Sequence, residues 1–233
     1  MYSVKDLHYG FRRRVNKIES LQNRNFYVEQ IDDYLNEATL IFVSEVAEQF
    51  EYSQHYTDDL RQLIKYDVST ALINADIYTE ATLPPDYYRI LKSYSFAVTD
   101  KCTIPRRMQH YYTQSDDVEA FLADELYNPN FEWAETGIRL AGNNLLVYHD
   151  NKFSIQDVKL DYISRHPRIA NPSDSIGGSY TLPNGTVAVQ QDLILDSTNQ
   201  PEKIMDIAAL LAYMDISDPN FQTKLSKIIN VYK

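Results

Sequence analysis

Phe153-Ser154-Ile155-Gln156-Asp157-Val158-Lys159-Leu160-Asp161-Tyr162-Ile163 decides how the middle of this chain folds. Apolar side chains stand at 153 and 155, then at 158, 160 and 162. A period of two lines one face of a β-strand, because successive side chains point to opposite faces. The phase changes at Gln156-Asp157, and a single extra residue there, a β-bulge, accounts for the shift. The stretch therefore predicts a bulged, half-buried strand.

Working outward, the same period recurs. Tyr88, Ile90, Lys92, Tyr94, Phe96 and Val98 alternate with mostly polar neighbours, which predicts another strand. Gly142-Asn143-Asn144 reads as a turn joining strands at 137–140 and 145–149. Pro183-Asn184-Gly185 predicts a second hairpin over 181–189. Between the 88–98 strand and the one at 137–140, 115–126 reads as a short helix capped by Ser115 or Asp116 and ended by Asn128-Pro129-Asn130.

Both ends change to a helical period. Val4, Leu7, Phe11, Val15 and Ile18 step by three and four, as do Ile31, Leu35, Ala38, Phe42 and Val46. Asp32 and Asp33 are expected at the start of the second helix, where the helix dipole favours acids. Leu60, Ile64 and Val68 predict a third helix over 58–72, ended before Leu83-Pro84-Pro85-Asp86. Pro201 suits a first helical position, followed by the stripe Ile204, Ile207, Ala208, Leu211 and Met214. Ser217-Asp218-Pro219 opens a last helix with Phe221, Leu225, Ile228 and Tyr232 inward. The order predicts an α+β fold: a helical part over 1–82, a mainly β region over 83–195, and C-terminal helices over 196–233 packed on the first part.

Composition narrows the function. With 22 Lys and Arg against 33 Asp and Glu, the net charge is −11. Gripping nucleic acid needs a cationic face, so this balance argues against a DNA-binding protein; an acidic wall instead lets a polyanion slide past. A single cysteine, Cys102, excludes a disulfide within the chain and fits a reducing cytoplasm. No apolar run approaches 18 residues, so no membrane association is expected. The 19 tyrosines fit two readings, heavy subunit interfaces and the amino-acid bias of an AT-rich genome.

Motifs for chemistry are missing. Gly177-Gly178 has no following Lys-Ser or Lys-Thr, so there is no phosphate loop, and no dinucleotide fingerprint occurs. His8, His55, His110, His149 and His166 show no metal-ligand spacing. Ser175 and Ser179 lie near glycine without forming a nucleophile elbow. The pairs Asp32-Asp33, Asp58-Asp59 and Asp116-Asp117 read as helix-start acids, with a converging glycosidase pair as the alternative. No cofactor or metal and no catalytic residue is expected. Arg12-Arg13-Arg14 and Arg106-Arg107 are the basic runs, read either as solvated faces or as docking sites for an acidic partner or a second acidic copy. Tyr162 and Tyr232 join them as candidate interface residues.

Several stretches together resemble a known family. They are the Val15-Asn16-Lys17-Ile18 helix, Ile31-Asp32-Asp33-Tyr34-Leu35-Asn36-Glu37-Ala38, Leu83-Pro84-Pro85-Asp86-Tyr87, the strand pair around Leu145–His149, the 153–163 strand, Arg165-His166-Pro167, and Ile204-Met205-Asp206-Ile207-Ala208-Ala209. In this order they look like the connector, or ring, proteins of crAss-like podoviruses. The resemblance implies a non-enzymatic virion protein of the neck or tail, made in the bacterial cytoplasm. It implies a ring, dodecameric in the family, that contacts the portal and adjacent ring or tail proteins while DNA passes through without specific binding. Another tail component, such as a hub or stopper, and a virion-associated hydrolase are the alternatives.

Overall fold

The computed structural model describes residues 2–18, 26–49, 58–114, 117–124, 128–195 and 199–215. The helices are α1 (Val4–Ile18), α2 (Val28–Glu48), α3 (Val118–Ala123) and α4 (Gln200–Asp215). The strands are β1 (Ile64–Ser69), β2 (Leu72–Asn74), β3 (Tyr78–Thr82), β4 (Tyr87–Thr99), β5 (Cys102–Tyr112), β6 (Glu135–Ala141), β7 (Asn144–Tyr148) and β8 (Ser154–Ser164). They make two units: 1–63 with 166–233, and 64–165. The fold is α+β, with a β-rich insertion between helical parts.

In the helical unit, α4 packs on both α1 and α2. Val4, Leu7, Phe11 and Val15 of α1, and Ile31, Leu35, Ala38, Phe42 and Val46 of α2, are buried as their spacing predicts. Phe11, Phe26 and Tyr34 form an aromatic triangle with ring centres 5.6–6.0 Å apart. Two helical expectations shift. α2 begins at Val28, so Asp32 and Asp33 lie beyond its first turn. The buried face of α4 is Ile204, Met205, Ala208, Ala209, Ala212 and Tyr213, while Met214 is 49% exposed. Small alanines let α4 approach closely; a Cβ on Gly10 of α1 would stand 2.2 Å from the Met205 sulfur. Hydrophobicity favours Leu211 and Met214, but close helix packing selects the small residues. The helix expected from Ser217 onward lies outside the described residues.

Residues 166–195 are largely irregular and belong to the helical unit. The expected hairpin over 181–189 is one bridge, Thr181 with Val187, closed by a turn with Gly185 at φ 82°. The β region therefore spans 64–165 and not 83–195.

The strand order in the other unit is β1-β8-β4-β5-β6-β7-β3-β2. Its two ends, β1 and β2, are consecutive pieces of chain: β1 pairs with β8, and β2 pairs with β3. One run of chain over 64–74 thus borders both sides, and the sheet curls on itself. The enclosed core includes Ala97, Met108, Ile138, Val147, Val158 and Leu160. The bulge falls where expected: Phe96 opposes Asp157 and Ala97 opposes Ile155, leaving Gln156 over, so Ile155, Val158, Leu160 and Tyr162 all stay buried. The β6–β7 turn also holds, with Ala141 opposite Asn144 and Gly142 at φ 59°. A glycine first in a two-residue turn suits a hairpin whose twist matches its strands.

The third helix does not form over 58–72. A helical turn at 58–60 leads into β1, and β2 follows. Leu60, Ile64 and Val68 are four apart, a spacing that a period of 3.6 and a period of two both satisfy.

Candidate interaction surface

Two of the stretches that carry the family resemblance, Leu83–Tyr87 and Tyr162–Pro167, meet at Asp86. Tyr162 donates its hydroxyl to Asp86 Oδ1 at 2.9 Å, and Lys65 Nζ reaches Oδ2 at 2.5 Å. The backbone N–H of Arg165 donates to the Asp86 carbonyl at 2.7 Å, and the Arg165 guanidinium donates to the Tyr87 carbonyl at 3.1 Å. Burial works to raise the Asp86 carboxyl, but the Lys65 and Tyr162 hydrogen bonds outweigh it and hold it below the ordinary range. Burial, then Asp86, pushes the Tyr162 phenol up to about 12. This is a clamp between the start of β4 and the end of β8, made of groups that stabilise one another.

Beside it, β4 and β5 frame a groove of about 520 Å³ lined by Lys92, Ser93, Tyr94, Arg107, His110 and Tyr112 among others. Tyr94 opposes Gln109 and Phe96 opposes Arg107 across the pair, so the four share a face. The Arg107 guanidinium lies 3.9 Å from the Tyr94 ring centre, within cation–π range. Among the described residues, neither Lys92 nor Arg107 forms an ion pair. His110 bridges Ser93 (Nδ1, 2.8 Å) and Ser95 (Nε2, 3.0 Å), and burial pushes its pKa down to about 3. An imidazole that weakly basic takes a proton poorly at neutral pH, so this Ser-His-Ser line suits holding two strands together better than general-base work.

The arginines expected to dock are divided. Arg106 and Arg107 are exposed on β5, with Arg106 5.9 Å from the Phe131 ring centre. Arg12 and Arg13 are exposed on α1. Arg14 is engaged inside the unit: it ion-pairs with Asp206 at 2.5 Å and with Glu202, tying α1 to α4. Tyr162 is 1% exposed, two residues on from the buried Leu160 and so on the same, core-facing side of β8. Both are corrected from surface candidates to internal ties. Tyr232 lies outside the described residues.

A polar cluster in the helical unit had no sequence signal. Asp32 of α2 is fully buried; its Oδ1 lies 2.7 Å from His8 Nε2, and its Oδ2 accepts from the Asn171 N–H at 3.0 Å and from the Tyr180 hydroxyl. Burial and then Asp32 raise the Tyr180 phenol. His8 Nδ1 is buried without a hydrogen-bond partner among the described residues. Asp33, its sequence neighbour, points outward to Arg168. The residues come from three segments, which is why spacing along the chain does not reveal them.

Among the described residues, no three His, Cys, Asp or Glu side chains converge on a metal-sized site, and no helix is long and apolar enough to cross a membrane. No protein-family model matches this chain, and no curated protein matches it in sequence.

Proposed function

We propose that this chain is a structural subunit of the head-to-tail connector of a tailed phage, forming a homo-oligomeric ring that joins portal to tail around the genome channel. The observation that carries this reading is the Asp86 clamp. Leu83-Pro84-Pro85-Asp86-Tyr87 and Tyr162-Ile163-Ser164-Arg165-His166-Pro167, two of the stretches in which the resemblance lies, are spent on architecture: Asp86 accepts from Tyr162 and Lys65, and its backbone carbonyl accepts from Arg165. The net charge of −11 supports a channel that DNA crosses without adhering.

Quantitative mass spectrometry of purified virions, with the portal as internal reference, tests this. Equal copy number to the portal is expected. A copy number well below the portal's selects a hub or stopper in its place, and absence from particles overturns the structural reading.

A further inference from the structure

We infer that the β4–β5 groove of one copy receives the outer face of α2 from a second copy. This rests on the reading of the chain as a self-associating subunit and names the contact that does the associating.

The first half of the argument is the groove. Lys92 and Arg107 are exposed cations without carboxylate partners among the described residues, set in a chain of net charge −11. The Arg107 guanidinium is exposed and sits over the Tyr94 ring, 3.9 Å from its centre, a contact that restrains a group suited to pairing with carboxylates. Tyr112, 61% exposed, adds an amphipathic wall. Such a site fits a carboxylate-bearing surface with some apolar area.

The second half is α2. Its sequence holds Glu29, Asp32, Asp33, Glu37, Glu45 and Glu48, and no basic residue. Asp32 is consumed inside the fold, but Glu37, Glu45 and Glu48 are exposed, and among the described residues none of them forms an ion pair. Glu37, Leu40, Ile41, Ser44 and Glu48 fall on one stripe at helical spacing. Leu40 stands in its middle, 57% exposed. Glu45 and Glu48 also sit in the last turn, where the helix dipole disfavours acids. Their placement works against the helix and suits an external cation.

The two patches are unlike and lie on different elements, which is what a head-to-tail contact requires. Two strongly acidic copies repel at long range, so association needs local cations to meet local acids.

The test uses the full chain and charge reversal, read by sedimentation velocity at physiological salt over a wide protein concentration range. The wild type is expected to self-associate. Lys92→Glu with Arg107→Glu should weaken association about ten-fold or more. Glu37→Lys with Glu48→Lys should do the same, and mixing the two reversed proteins should restore assembly. That rescue requires both to be folded, so misfolding cannot imitate it. A wild type that stays monomeric, reversed variants that assemble normally, or a mixture without rescue each overturns the contact. Binding of a short single-stranded oligonucleotide lost in the groove variant alone, with assembly intact, overturns it in favour of a phosphate ligand. Virion copy number is independent of all of these: a chain equal to the portal in particles but indifferent to charge reversal keeps the ring reading and loses this contact.

Discussion

Tyr162 and Asp86, separated by 76 positions, are joined by a 2.9 Å hydrogen bond that fastens the end of β8 to the start of β4. The tie is charge-assisted and shares its acceptor with Lys65. Removing the phenol hydroxyl in Tyr162→Phe should cost about 1–2 kcal/mol, and Asp86→Ala about 2–3 kcal/mol because it strips the acceptor from both donors. Urea unfolding of each variant checks this, and equal costs would show that Lys65 contributes nothing.

Asp32 should be the most sensitive polar position in the helical unit. Asp32→Ala leaves His8, the Asn171 N–H and the Tyr180 hydroxyl facing an empty acceptor site. Breaking such a buried network costs about 3–5 kcal/mol. Thermal unfolding should fall strongly for Asp32→Ala and hardly at all for Asp33→Ala, whose carboxylate is exposed.

Acid should weaken the protein through its histidines. Burial lowers His110, to about 3, and His166, whose Nε2 accepts the Ile194 N–H at 2.9 Å. The unfolded chain then binds the proton first, so stability is full above the ordinary value of 6.5 and falls as pH drops toward about 3. Denaturation midpoints compared near neutral pH and at about pH 5 should show the loss, and His110→Gln should remove part of that slope.

The close approach of α1 and α4 admits no bulk at Gly10. Gly10→Leu should destabilise by about 1–3 kcal/mol through overpacking against Met205. Gly10→Leu combined with Met205→Ala should recover part of the loss, measured by the same unfolding curves.

The β8 bulge and the first two helices were legible because their apolar residues carry a single consistent period. The 58–72 segment misled because its spacing of four obeys two periods at once. β5 had no signal: its Thr103, Pro105, Arg106 and Arg107 are exposed, and only Met108 is fully buried. Its identity as a strand comes from pairing with β4 and with β6, and nothing in its own composition records those partners. The groove inherited that silence. Arg106-Arg107 stood out as a charge pair, but Lys92 and His110 joined the site only through strand register. The Asp32 cluster was misassigned for a related reason, since helix-start acids and buried acids look alike until the helix boundary is known.

The pairing of Ile64 with Ile163 puts the entrance and exit of the curled sheet on neighbouring strands at the same end. Tension delivered through those two connections would open β1 from β8 one hydrogen bond at a time, as a zipper opens, and would not load the whole ladder in shear. A sheet loaded this way yields at low force unless something bridges the end where the load enters. The Lys65–Asp86–Tyr162 clamp sits at that end and ties β1 and β8 to the start of β4 at the first rungs to be pulled, so the fold carries its own strain relief where such a load would enter.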